Sequence, residues 1–294
     1  MKVLVFGRTG QVARALATRA PADWDMTTLG RDQADLTDPA ACAAAIAAQR
    51  PDVVINAAAY TGVDAAESDA ATALRVNADS PGAMARACAD IGAVFLHIST
   101  DYVFDGAGDA PHRTDAPTGP LGVYGRSKLA GEDAVRAAMK AGGGPHAILR
   151  TAWVFSDTGA NFVRTMLRLG RTRDSLRVVA DQWGGPTPAS AIADALIAMA
   201  DALHDRPELS GTYHFSGAPH VTWATFARAI FDVAGMAVQV HDIPSAEYPT
   251  PARRPANSRL DCTPTKAAFG IAEPDWRAAL NDIIPALLAQ EATP

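Results

Sequence analysis

The sequence predicts an α/β fold: a doubly wound parallel Rossmann-like sheet with a smaller C-terminal lobe. Three observations predict it. Short apolar runs without polar alternation recur along the first half, as expected of strands buried on both faces. Each run is followed by a longer stretch of helical pattern, and right-handed crossovers between such strands put helices on both sides of the sheet. A glycine turn, Gly7-Arg8-Thr9-Gly10, joins the first run to the first helix.

The elements follow in order. Residues 3–6 read as a buried strand and residues 11–19 as a helix. Residues 26–29 read as a second strand. A helix over 39–50 opens with Asp38 as its N-cap and Pro39 in its first position, where a missing N–H costs nothing. Residues 53–56 make a third strand, 66–77 and 81–91 two helices, and 94–98 a fourth strand. A helix over 124–139 is rich in good formers, and 147–150 and 176–179 supply a fifth and a sixth strand. Beyond about residue 155 the pattern loosens. Helices over 161–169, 189–203, 223–234 and 275–289 are separated by Pro/Gly-rich loops such as Gly184-Gly185-Pro186-Thr187-Pro188. Residues 1–155 are therefore read as a dinucleotide-binding domain. Residues 156–294 are read as mainly a substrate-binding lobe, interleaved with the last strands of the sheet.

With 294 residues the chain is long enough for this plan, and 48% hydrophobic and 20% charged residues suit a globular core. A net charge of -6 and no basic stripe speak against nucleic acid and against an acidic membrane surface. No stretch approaches the ~20 apolar residues of a membrane span, and the N-terminal apolar run is too short for a signal peptide. Cys42, Cys88 and Cys262 are widely separated and lack metal or disulfide spacing. These features together predict a cytoplasmic protein that binds neither nucleic acid nor membrane.

Gly7-Arg8-Thr9-Gly10-Gln11-Val12 suits a pyrophosphate. Glycines let the backbone approach it, and the helix N-terminus offers free N–H groups and positive potential. The second strand should end near an adenosine ribose. Arg31 stands there, either to pair with a 2′-phosphate, favouring NADPH, or as a solvated loop residue. Asp35 and Leu36 could flank the adenine. Ala57, Ala58 and Ala59 follow Asn56 and are small enough to let a cofactor lie against the chain.

Ser99-Thr100-Asp101 ends the fourth strand, at the carboxyl edge where such sheets bind ligands. Tyr124 and Lys128 are four apart, so a helix puts them on one face. A cation beside the phenol favours tyrosinate and predicts a lowered tyrosine pKa. A positioned proton donor is what carbonyl reduction needs, because hydride adds to carbon while a proton must reach oxygen. Thr100 can bond the same oxygen, and Lys128 the nicotinamide ribose.

These motifs resemble the extended short-chain dehydrogenase/reductase superfamily and, within it, the dTDP-4-dehydrorhamnose reductase family. The resemblance runs nearly the whole length. Its most specific parts are Ser99-Thr100-Asp101-Tyr102-Val103-Phe104-Asp105-Gly106 and Arg254-Pro255-Ala256-Asn257-Ser258. It implies reduction of the C4 ketone of a dTDP-4-dehydro-6-deoxyhexose with NADPH, or alternatively NADH. It also implies Tyr124 as general acid, Lys128 as its orienting cation and Thr100 as the group polarising the ketone. Asp101 and Trp153 would contact the sugar. Tyr60 and Thr61 would line the cofactor with Ala59, and Asn77 would help shape the site. Arg254 and Asn257 would help hold the nucleotide-sugar, an arginine fork being suited to a pyrophosphate. Trp153 also reads as a core aromatic, and Arg254 as a solvated loop residue.

One departure bears on assembly. Some members of this family dimerise through Mg²⁺ held by glutamates, and the matching positions here are Ala15 and Ser190, which offer no carboxylate. The expectation is a monomer or weak homodimer without a metal bridge, and no metal. Two other readings stay open. One is another nucleotide-sugar epimerase, dehydratase or reductase of the superfamily. The other is a non-catalytic regulatory subunit like that of methionine adenosyltransferase.

Overall fold

A computed structural model describes residues 1–292, with side chains through residue 289. Strands β1 (Lys2–Phe6), β2 (Asp25–Leu29), β3 (Val53–Asn56), β4 (Val94–Thr100) and β5 (His146–Thr151) form one sheet with a sixth strand, Gly211–His214. The order is Gly211–His214, β5, β4, β3, β1, β2, and every pairing is parallel. The chain starts in the middle, winds out to β2, returns, and winds out the other way. The order reverses between β1 and β3, and the carboxyl edge there is where such sheets bind ligands.

The sheet is buried on both faces. Val3, Val5, Ile55, Leu96 and Leu149 pack on one side against the Ala189–Asp205 helix, through Ile192, Leu196 and Met199. Leu4, Phe6, Val54, Phe95 and Ile148 pack on the other against Ile46, Met84, Cys88, Val135 and Met139. This two-sided burial is why β1 and β3 read as continuous apolar runs. A separate core joins Phe155, Phe226, Phe231, Trp276 and Leu280 in the second half.

Most elements lie where the sequence places them. The Gln11–Arg19 helix has its expected bounds. The Pro39–Gln49 helix is capped by Asp38, whose side chain accepts from the Ala41 N–H, and Arg50 turns left-handed to end it. Two expectations are corrected. Residues 176–179 are not the sixth strand of the sheet; they belong to Ser175–Val179, which pairs with Gln239–Ile243 in a small parallel sheet of its own. The alternation there, with Ser175 and Arg177 exposed, belongs to a strand with one wet face. Residues 66–77 are not one helix. They divide into Val63–Ala66, Ala70–Leu74 and a π-helical turn, Arg75–Asp79. The π-helical turn lies where the Val123–Gly142 helix packs closely: a Cβ on Gly131 would lie 2.0 Å from the Asn77 carbonyl oxygen.

Candidate active site

The carboxyl edge of the sheet opens on a cleft of about 1270 Å³. One end is the glycine turn. Gly7 has φ of 113°, a left-handed conformation that favours glycine, and a Cβ there would press on the Ala57 carbonyl carbon at 3.3 Å. The Gln11–Arg19 helix starts beside it with no side chain capping its first N–H groups. A bare helix N-terminus beside a turn that lacks Cβ atoms at Gly7 and Gly10 is a cradle that suits a dinucleotide pyrophosphate. Gly10, Gln11, Val12, Ala57, Ala58 and Ala59 line this end. The Gln11 side chain is already engaged, since Oε1 accepts from Ser156 Oγ at 2.9 Å and Asn161 Nδ2 at 3.0 Å.

Arg31, Asp35 and Leu36 line the cleft past the tip of β2. The Arg31 side chain is 78% exposed and bonds Asp35 Oδ2 at 3.1 Å. Sequence reasoning missed Arg8 as a partner. Its guanidinium reaches the same tip, where it bonds Asp32 Oδ1 at 2.6 Å and Gln33 Oε1 at 3.1 Å. The signal was available: Arg8 occupies a variable position of the glycine turn, directly opposite β2.

At the other end, β4 delivers Thr100 and Asp101, and the Val123–Gly142 helix delivers Tyr124 and Lys128. Thr100 Oγ1 donates to Asp101 Oδ1 at 2.9 Å. Asp101 Oδ2 is buried and makes no hydrogen bond of good geometry. Burial pushes the Asp101 carboxyl up to about 6, although the Ser258 and Thr100 hydroxyls ease its charge. Tyr124 packs edge-on against Tyr102, with ring centroids 5.6 Å apart. Lys128 is buried, and its Nζ donates to the Ile98 carbonyl at 2.7 Å. Burial pulls its ammonium down to about 8, against an opposing pull from Glu132.

The expected lowering of the tyrosine pKa is corrected. Burial pushes Tyr124 up to about 12; the Thr100 hydroxyl offsets only part of this, and the Asp101 charge adds to it. Desolvating a phenolate costs more than its neighbours return. Tyr124 therefore holds its proton across the neutral range, which is the state a proton donor needs.

Trp153 lines the cleft beside Thr151. Its φ of 48° is left-handed, a strained state for a bulky side chain. A face-to-face stack on Trp223, with centroids 3.4 Å apart, holds it there. Tyr60 and Thr61 line the cleft as well. Three other residues do not. Asn77 lies behind the wall, where its amide bonds the Tyr60 N–H and carbonyl and the Ser127 hydroxyl. Arg254 makes a two-pronged ion pair with Asp64. Asn257 is buried, its Nδ2 donating to the Gly108 and Ala110 carbonyls and its Oδ1 accepting from Arg259. These three brace loops around the cleft.

Ala15 packs against the core beside the Ala189–Asp205 helix, which carries Ser190, and Arg19 pairs with Asp194 across the two helices at 2.5 Å. Among the described residues no group of three or more His, Cys, Asp or Glu side chains is placed to hold a metal ion. No described helix is long and apolar enough to cross a membrane.

Comparison with known proteins gives a consistent result. Residues 1–289 match the family described as RmlD substrate binding domain. The chain is 45% identical to a dTDP-4-dehydrorhamnose reductase of Sinorhizobium fredii, over 99% of each. A solved dTDP-4-dehydrorhamnose reductase from Clostridium acetobutylicum superposes with a TM-score of 0.90 at 34% identity, covering 98% of this chain and 100% of that one. Another, from Bacillus anthracis in complex with NADP, gives a TM-score of 0.88 at 31% identity, covering 97% and 98%.

Proposed function

Since the chain belongs to the RmlD substrate binding domain family, we propose that it reduces the C4 ketone of dTDP-4-dehydro-6-deoxy-L-mannose to give dTDP-L-rhamnose, with NADPH as reductant. The observation that carries this reading is the convergence of Thr100, Tyr124 and Lys128 in one cleft with the Gly7–Gly10 cradle. Gly7, Gly10, Val12 and the Ala57–Ala59 wall line the cleft and would hold NADPH, which would supply the hydride. Thr100 and Tyr124 hold the ketone oxygen, and the Tyr124 hydroxyl gives it a proton as charge develops there. Lys128 keeps the phenol oriented and bonds the ribose. Asp101 and Trp153 face the sugar. The exposed fork of Arg31, with Arg8 beside it, suits a 2′-phosphate and is our reason for preferring NADPH.

The same reading assigns residues 1–155 mainly to the cofactor and residues 156–294 mainly to the nucleotide-sugar. It has the enzyme working in the cytoplasm as a monomer or weak homodimer. Ala15 and Ser190 offer no carboxylate to a bridging cation, so sedimentation should give the same mass with Mg²⁺ and with a chelator. A mass that falls on chelation would overturn this.

The direct test is NADPH oxidation over a small panel of dTDP-4-keto sugars. Tyr124→Phe should lose roughly 10²–10⁴ in rate and keep its affinity for NADPH. Near-normal turnover by that variant would remove Tyr124 from its role. Tightly held NAD⁺ that does not exchange, with no net oxidation of NADPH, would point to an epimerase or dehydratase.

A further inference from the structure

Behind Tyr124 and Lys128 lies a file of buried polar groups that the reaction as described does not use. Asn56 ends β3, His97 sits beside it in β4, and both are almost wholly buried. The Ala58 N–H donates to Asn56 Oδ1 at 3.2 Å, which fixes the amide's orientation. Asn56 Nδ2 then faces His97 Nδ1 at 3.1 Å. An amide NH₂ donates and cannot accept, so Nδ1 is the acceptor and the neutral ring carries its proton on Nε2. That Nε2 faces Lys128 Nζ at 3.4 Å.

We propose that His97 is a positioning residue: Asn56 holds it as the Nε2–H tautomer, and its N–H favours the neutral amine of Lys128 over the ammonium. The positive end of the N–H dipole points at Nζ. It opposes an ammonium there and hydrogen-bonds the lone pair of an amine. The groups facing Lys128 are His97 and the Ile98 carbonyl from β4, with Glu132 from its own helix, and Tyr124 stands one helical turn before it on the same face. Burial and the Lys128 charge hold the His97 pKa well below the usual histidine range, so His97 is not a second cation.

The consequence for turnover rests on the reductase reading. Tyr124 passes its O–H proton to the substrate oxygen and is left as phenolate. The Lys128 ammonium then gives a proton to that phenolate and becomes an amine, whose lone pair accepts the His97 N–H. A proton from solvent restores the ammonium. His97 makes the second transfer easier and itself gains or loses nothing.

The test has two arms. In wild-type protein labelled with ¹⁵N-histidine, NMR should show His97 protonated on Nε2 and bare on Nδ1. An Nδ1–H tautomer or an imidazolium would overturn the proposal, and this arm does not depend on any variant folding. The second arm follows the Lys128 ¹³Cε signal, assigned by its loss in Lys128→Met, through a pH titration. His97→Phe keeps a ring stacked beside Phe95 and should raise the Lys128 pKa by roughly one unit. The alkaline limb of NADPH oxidation should move up with it. An unmoved or lowered Lys128 pKa would mean that His97 only fills space, since a purely structural role changes the rate without moving the limb. If the tautomer and the titration come out as expected but wild-type protein oxidises no NADPH, the reductase reading fails and the assignment of His97 stands.

Discussion

Asp101 carries a cost that the rest of the molecule supports. Its carboxyl is buried, one oxygen takes the Thr100 hydroxyl, and the other goes without a bond of good geometry. With a folded pKa raised from 3.8 to about 6, the folded chain binds its proton more tightly than the unfolded chain does. The penalty is therefore absent below the unfolded pKa, grows as pH rises, and is complete above about 6. At pH 8 it amounts to roughly 3 kcal/mol, from about 1.4 kcal/mol per pKa unit. Asp101→Asn removes the charge and keeps an oxygen for Thr100. It should raise the melting temperature at pH 8, lose that gain as pH falls to 4, and turn over more slowly. A variant no more stable than wild type at pH 8 would show that the buried charge is better satisfied than its contacts indicate. Such a trade of stability for chemistry is typical of functional sites. At this scale the sequence yields residue types and spacing but not environment. Tyr124 and Lys128 were legible because four residues make one helical turn; the direction of the tyrosine shift was not, because desolvation depends on Tyr102 and Asp101 arriving from another element.

Between elements, the site depends on how closely the Val123–Gly142 helix approaches its neighbours. Gly131 faces the Asn77 carbonyl, and the Asn77 side chain in turn bonds Tyr60 in the cleft wall and Ser127 one residue before Lys128. A Cβ on Gly131 would lie 2.0 Å from that backbone oxygen, with no flexible side chain to give way. Gly131→Ala should therefore cost at least about 1–3 kcal/mol, the usual price of overpacking, measured by urea unfolding. It should also raise the KM for NADPH, because the displaced Asn77 no longer holds the Tyr60 loop. An unfolding curve that overlays wild type would mean the helix can slide away freely. None of this contact is visible along the chain. The alternation of strands and helices was legible because burial on both faces leaves unbroken apolar runs. The Gly211–His214 strand was not: its half-buried Gly-Thr-Tyr-His run sits at the sheet edge beside β5 and carries no such signature. Residues 176–179 had the better apolar run, yet Ser175–Val179 finds its partner in Gln239–Ile243, 64 residues further on by its paired ends.

Across the whole molecule, the cleft is held by contacts between the two halves of the chain. Gln11 ties the first helix to Ser156 and Asn161, and Arg254 ties the 249–257 loop to Asp64. The cleft along which a dinucleotide would lie is lined by residues from Gly7 to Ala160, so its binding energy should stabilise the entire chain rather than one lobe. A ligand at ~100 times its Kd adds about 2.7 kcal/mol to a folded state that alone binds it. Saturating NADPH should raise the melting temperature in one transition, and NADH at the same concentration should raise it less. The difference measures the 2′-phosphate, and the candidates to hold it are Arg8 and Arg31. Each is now paired with an acid, Asp32 and Asp35, in exposed bridges that are individually worth little and so can be exchanged for a phosphate at small cost. Replacing both arginines by alanine should bring the NADPH shift down to the NADH shift and leave the NADH shift unchanged. If the double variant keeps the NADPH advantage, the phosphate is read elsewhere. If it loses both shifts together, the arginines shape the β2 tip instead of reading the phosphate.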